Sequence, residues 1–307
     1  MEFSHIPVLF KETIDSLEIK PDGLYVDCTA GGGGHSRAIA ERLTDGKLIA
    51  IDRDPDAIKI LGERLGDMAR VEIVHNTFNN IKAILGGRKA DGILADLGVS
   101  SFQLDEASRG FSFHKDAVLD MRMSKTGESA RDLVNTLSVG ELTRIIRDYG
   151  EEKYANRIAN NIVNARQDKE INTTFELIDI IKASMPQKAM RDSHPARRTF
   201  QALRIAVNGE LDQLDTALDE MFDCLKVGGV LSIITFHSLE DRMVKQRFNS
   251  LAQGCTCPKD FPVCVCGKTP CARLTVKGRA PSDEELETNP RSHSARLRSL
   301  VKLKEKD

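Results

Sequence analysis

The sequence predicts an α/β fold, a doubly wound and mainly parallel sheet of seven strands with an inserted helical domain, and three observations carry that prediction. From Gly23 to Leu97, short apolar runs rich in β-branched residues alternate with segments of helical period. Between about Asp105 and Ile205 the strands vanish and only helical patterns remain, and after Asn208 the alternation returns. Four consecutive glycines, Gly31 to Gly34, stand where the first strand hands over to a helix. The expected division is a discontinuous domain, 1–104 with 206–307, and a helical insertion, 105–205.

Element by element, Leu24 to Cys28, Lys47 to Ile51, Val71 to His75 and Gly92 to Leu97 read as the first four strands. Between the second and third, Asp54 is placed to cap a helix with Pro55 in its first turn and Ile58, Leu61 and Leu65 on one face, and Gly66 ends it. In the insertion, Ser138 and Glu141 form a capping-box pattern before a stripe of Leu142, Ile145, Ile146 and Tyr149, with Gly150 as terminator. Thr173 and Glu176 repeat that grammar before Leu177, Ile178 and Ile181. Asn208 to Lys226 carries Leu211, Leu214, Leu218, Met221, Phe222 and Leu225 at helical spacing, Gly228 fits the helix C-terminus, and "VGGVLSIITF" supplies a buried strand. A helix over "EDRMVKQRFN" and strands at Arg273 to Lys277 and Ala295 to Lys302 complete the set, the last two forming an antiparallel edge.

At 307 residues, with 40% hydrophobic and 29% charged residues, the chain is long enough for apolar cores that need no disulfide framework. The N-terminal stretch lacks the pattern of a signal peptide, no apolar run approaches a membrane span, and seven cysteines make an odd total. A cytoplasmic setting with no membrane partner is the expectation. The net charge of −2 hides two basic stretches: Lys188, Arg191, Arg197, Arg198 and Arg204 against Asp192, and Arg291 to Lys304 with no acid. A solvated face or a nucleic-acid grip both fit such runs.

Glycines at a strand-to-helix turn let backbone approach a ligand closely, beside the N–H groups of the helix start. Asp52, ending the next strand, is placed to accept hydrogen bonds from both hydroxyls of a ribose, so the ligand expected is a nucleoside. A dinucleotide loop would place a third glycine where Ser36 stands. The other arrangement, an acid four residues before G-x-G, is met by Asp27, Gly31 and Gly33, as in S-adenosylmethionine-dependent methyltransferases.

Longer blocks add to this pattern. "HIPVL", "DCTAGGGGHS", "DLGVSSFQLD", "RGFSF", "LDMRM", "RRTFQALRIAVNGEL", "TFHSLEDRMVK" and "NPRSHSARLR" run nearly end to end and resemble the bacterial ribosomal RNA small subunit methyltransferase H family, also called MraW. The resemblance implies a class I S-adenosylmethionine-dependent methyltransferase fold and methylation of the N4 amine of a decoding-region cytidine. The partner it implies is 16S ribosomal RNA, within the small ribosomal subunit, and a homodimer is left open. It also implies that Gly33, Gly34, His35, Asp52, Phe78, Asp96 and Gln103 contact S-adenosylmethionine. Read from their residue types alone, Phe78 serves equally as core and His35 as a helix cap.

A cytosine amine is a weak nucleophile and a sulfonium methyl is already activated, so alignment and exclusion of water are expected to carry the reaction. Many amine methyltransferases place a (D/N/S)-P-P-aromatic loop after the fourth strand, where this chain has "DLGVS". That leaves Asp96 and His237 as the two catalytic candidates for receiving the amine proton. Cys255, Cys257, Cys264 and Cys266 form two pairs that could hold a structural zinc or remain a loop of reduced thiols. Two further function classes compete: a nicotinamide-dependent dehydrogenase, and a non-catalytic RNA-binding or ribosome assembly factor.

Overall fold

The computed structural model describes residues 7–191, 194–255, 257, 262–263 and 265–306. Its chain divides into two units, 1–98 with 212–307, and 99–211. The division therefore falls before the expected 105 and after the expected 205, because the segment from Val99 packs its apolar side chains with the helical core.

The first unit is built on one sheet of seven strands: β1 Leu24–Asp27, β2 Lys47–Asp52, β3 Val71–His75, β4 Ala90–Asp96, β5 Leu225–Thr235, β6 Ala272–Arg279 and β7 Arg296–Lys302. Their order is β3-β2-β1-β4-β5-β7-β6. β1 to β5 pair in parallel, while β7 runs antiparallel to both β5 and β6. The expected antiparallel edge is present, with β7 between β5 and β6 in place of sequence order.

The central strands are nearly continuous apolar runs because helices cover both faces. Ile49, Ile51, Ile93, Leu231 and Ile233 are fully buried with Leu218, Met221 and Phe222 of the helix Glu210–Cys224. Leu48 and Leu94 join a second cluster with Ile39 of the helix Gly34–Arg42. Truncating one such leucine to alanine typically costs 2–5 kcal/mol.

Two sequence expectations in this unit change. Leu225 opens β5 instead of closing the preceding helix, and Gly228 sits at φ 84° within β5, where Ala90 pairs Leu225 but Gly92 pairs Val230. Gly228 thus turns a bulge in the ladder, a use of positive φ indistinguishable in sequence from a helix C-terminus. Asp54 does cap the helix Pro55–Leu65, accepting the Asp56 amide at 3.0 Å.

Among the described residues, the regular elements of the second unit are helices, with one isolated bridge, Val118 with Thr173. Its core gathers Leu142, Ile146, Ile158, Ile162, Leu177, Ile181, Phe200 and Leu203. Ser138/Glu141 and Thr173/Glu176 form reciprocal capping boxes on the helices Val139–Gly150 and Thr174–Ser184. Gly150 does not terminate its helix: it is the last helical residue, and Glu151 takes the left-handed position at φ 49°. A side chain at Gly150 would meet the Arg198 carbonyl oxygen at 2.6 Å, so close packing of backbones, not turn geometry, requires glycine there.

Candidate active site

Three aspartates end three adjacent strands. Asp52 closes β2, Asp27 closes β1 and Asp96 closes β4, and these strands lie side by side in the order β2-β1-β4. The strand order reverses direction between β1 and β4, the switch point at which doubly wound sheets open a crevice at their carboxyl ends.

The glycine turn is fastened to the first two of these acids. Asp52 Oδ2 accepts the Gly31 amide at 2.8 Å and Oδ1 accepts the Asp54 amide at 2.8 Å. Asp27 Oδ1 accepts the Thr29 amide at 3.2 Å, and its Oδ2 accepts the Ser36 hydroxyl at 2.6 Å. Ser36, the position where a dinucleotide loop would have a third glycine, is therefore the hydroxyl that holds Asp27. Gly31 and Gly33 adopt φ 51° and 84°. At Gly34 the constraint is space: a Cβ would stand 2.4 Å from Pro7 Cγ.

Burial governs the charges. It raises Asp27 to about 6, against the pull of Ser36 and Thr29, with Asp52 adding repulsion. Burial also raises Asp52, offset by the amides of Asp54 and Gly31. Asp96 is pushed well above the usual carboxylate range by burial, then by the charges of Asp27 and Glu240. His35 is lowered to about 4 by burial, opposed by a hydrogen bond to the Val8 backbone, so it is neutral at pH 7.

Asp96 and His35, like His237 at its Nε2, leave a buried polar atom unmatched. Asp96 Oδ1 and His35 Nε2 are buried without a hydrogen-bond partner. Asp96 Oδ2 lies 3.7 Å from His35 Nδ1, beyond hydrogen-bond length, and the imidazole stacks on Phe10 with ring centres 5.7 Å apart. An orphaned buried carboxylate oxygen costs on the order of 1–3 kcal/mol and marks a place where a donor or cation is received.

The remaining expected residues fall in distinct settings. Phe78 opens the 3-10 turn Phe78–Asn80 after β3 and packs half-buried against the main core. Gln103, in the helical unit, is buried and shares a capping box with Ser100, whose amide donates to Oε1 at 3.0 Å. His237 caps the helix Ser238–Ala252: its Nδ1 accepts the Glu240 amide at 3.4 Å, while Glu240 Oε2 accepts the Phe236 amide at 2.9 Å. The His237 Nε2 lies 3.1 Å from Glu240 Oε1 without making a hydrogen bond. The Cys255, Cys257 and Cys266 thiols converge, and Cys264 lies outside the described residues.

Neither basic stretch is uniformly a surface patch. Arg204 forks onto Glu210 with two contacts of 2.8 Å, and Arg298 forks onto Asp241 at 2.8 and 2.9 Å. Lys302 is fully buried, donating to the carbonyls of Phe222 and Leu225 and to Glu305. Lys188, Arg191, Arg197 and Arg198 remain exposed.

A family model described as the MraW methylase family matches residues 2–303. The chain belongs to the MraW methylase family. Two relatives named ribosomal RNA small subunit methyltransferase H set its distance from known members. One, from Clostridium botulinum (strain Loch Maree / Type A3), is 55% identical over 309 residues, covering 99% of this chain and 100% of that protein. The other, from Lachnospira eligens, is 56% identical over 311 residues and covers 99% of both. Among solved structures, an rRNA methylase from Streptococcus thermophilus overlays with a TM-score of 0.46 at 12% identity, covering 98% of this chain and all of that one. Membership in a methylase family leaves the nicotinamide-dependent dehydrogenase without support. Among the described residues, no helix is long and apolar enough to cross a membrane.

Proposed function

We propose that this protein transfers a methyl group from S-adenosylmethionine to the N4 amine of a decoding-region cytidine in 16S ribosomal RNA, acting in the cytoplasm. The observation that carries the reading is the row of strand-ending acids, in which Asp27 and Asp52 brace the glycine turn and Asp96 presents an unpartnered oxygen. The choice of small-subunit RNA follows from the names of relatives at 55% and 56% identity; the choice of cytidine N4 follows from the family resemblance.

The residues present fit that cofactor. Gly33 and Gly34 offer backbone at a helix start, and Asp52 keeps lone pairs available beyond the two amides it already accepts. Phe78 offers a half-exposed ring for stacking and neutral His35 a polar contact; Gln103 enters through the family resemblance. When bound, the cofactor supplies an activated methyl group on a cationic sulfur. Asp96, raised by burial, would regain its charge beside a cation and then accept or orient the amine proton. The exposed Lys188, Arg191, Arg197 and Arg198 would hold RNA phosphates, and the target base would leave its stack at a cost of a few kcal/mol.

The test is methyl transfer from labelled S-adenosylmethionine to small ribosomal subunits lacking the modification, with the product base mapped. Label at a cytidine N4 in the decoding region supports the proposal. Label elsewhere removes the assigned target, and well-folded protein that gives no heat with S-adenosylmethionine or its demethylated product removes the cofactor.

A further inference from the structure

Among the described residues between the helix Ser238–Ala252 and β6, the apolar side chains Val263 and Val265 face solvent at 69% and 73% exposure. Yet three thiols from this segment meet: one ligand atom each from Cys255, Cys257 and Cys266 lies within 4.8 Å of the others. The Cys255 and Cys266 sulfurs are 3.7 Å apart. A disulfide would bring them to about 2.05 Å. A tetrahedral zinc–thiolate centre with Zn–S bonds of about 2.3 Å has sulfurs about 3.8 Å apart. At this separation, where the Cys266 thiol donates to Cys255 Sγ, the two sulfurs are also spaced as two ligands on one metal would be.

A second feature points the same way. The Cys257 amide donates to Cys255 Sγ at 3.4 Å. An N–H directed at sulfur from two residues on stabilises a thiolate and folds a C-x-C pair so that both sulfurs face one centre, easing the strain that a single spacer residue imposes. Cys271 is set apart from the group, its thiol directed at the Glu305 carbonyl oxygen at 3.7 Å.

We infer that Cys255, Cys257 and Cys266 are ligands of a structural zinc site that ties Cys255 and Cys257 to Cys266, eleven and nine positions further along the chain. Zn2+ replaces the three thiol protons, which leave to solvent, and no electron transfer is involved. A metal here does for the segment what buried apolar area does elsewhere. The inference is independent of the methyl-transfer reading, since none of these residues belongs to the strand-end site.

The experiment is elemental analysis of full-length protein purified without chelator, beside cobalt substitution followed by absorption spectroscopy. About one zinc per chain is expected, with a thiolate-to-cobalt charge-transfer band in the substituted protein. Cys255→Ser and Cys266→Ser should each lower zinc retention against a competing chelator at least tenfold, and Cys271→Ser should retain it. Zinc below about a tenth per chain in folded protein, no charge-transfer band, or a Cys255–Cys266 disulfide found by mass mapping would each overturn the assignment. Should a serine variant fail to fold, the cobalt spectrum of the unaltered chain still decides the matter.

Discussion

The ends of β1 and β2 and the end of β4 carry the same residue type a few ångströms of sheet apart, and they treat it in opposite ways. Asp27 and Asp52 have every oxygen engaged by a backbone amide or by Ser36. Asp96 has one buried oxygen without a partner and the other 3.7 Å from an imidazole that is neutral at pH 7. Satisfied carboxylates brace the turn, whereas an unsatisfied one stores a demand that a ligand can meet. The contrast separates acids that brace the turn from one that keeps an oxygen unmatched.

The sharpest way to break that contrast is Asp96→Asn. If Asp96 handles the amine proton, kcat should fall about 10²–10⁴-fold at saturating cofactor, beyond any loss of cofactor affinity, as read by single-turnover methyl transfer and calorimetry. An unchanged kcat would return Asp96 to a purely structural role. Next is Asp52→Ala, which should weaken S-adenosylmethionine binding about 10–100-fold, the worth of charged hydrogen bonds of about 1.5–3 kcal/mol. Loss of affinity with the turn intact by hydrogen exchange at Gly33, whose amide donates to the Ala30 carbonyl, would separate ribose binding from bracing.

Asp27 sharpens the comparison through pH. Its folded value of about 6 lies above the ordinary 3.8, so the folded state holds the proton more tightly than the unfolded chain. The stability it contributes is complete below about pH 4 and is lost as pH rises through about 6, a change of about 3 kcal/mol. Differential scanning across pH 4 to 7 should therefore show Asp27→Asn gaining on the wild type as pH increases, and parallel curves would refute the shift. The smallest effect is expected at His237: removal of the cap in His237→Ala should cost about 1 kcal/mol of stability. His237→Asn, which can still cap, should retain most activity; a large loss of kcat there would reinstate the imidazole in catalysis.

Much of this was legible because it is local. Ser138 with Glu141 and Thr173 with Glu176 announce helix starts within four residues, and both boxes form. Asp54 before Pro55 does the same. Apolar runs gave β1, β2, β4 and β5 because burial on both faces leaves no alternation to confuse with a helix. The glycine turn and the acid after β2 stood out by spacing. What stayed hidden depends on partners distant in sequence. Ser36 looked like a missing glycine until Asp27, nine residues away in sequence, met its hydroxyl. His237 looked like chemistry because histidine seldom caps helices. Arg298 and Lys302 looked like a surface run, since nothing near them in sequence announces Asp241 or the carbonyl oxygens of Phe222 and Leu225. Gly150 and Gly228 show that a glycine marks a constraint without saying whether it is torsional or steric.

The position of β7 sets the timetable of folding during synthesis. β6 leaves the ribosome before β7, yet its sole neighbour in the sheet is β7, and β5 cannot cover its outer edge until the same strand arrives. The nascent chain therefore carries two unpaired edges while the glycine-turn half is already able to assemble, and a single late strand closes both.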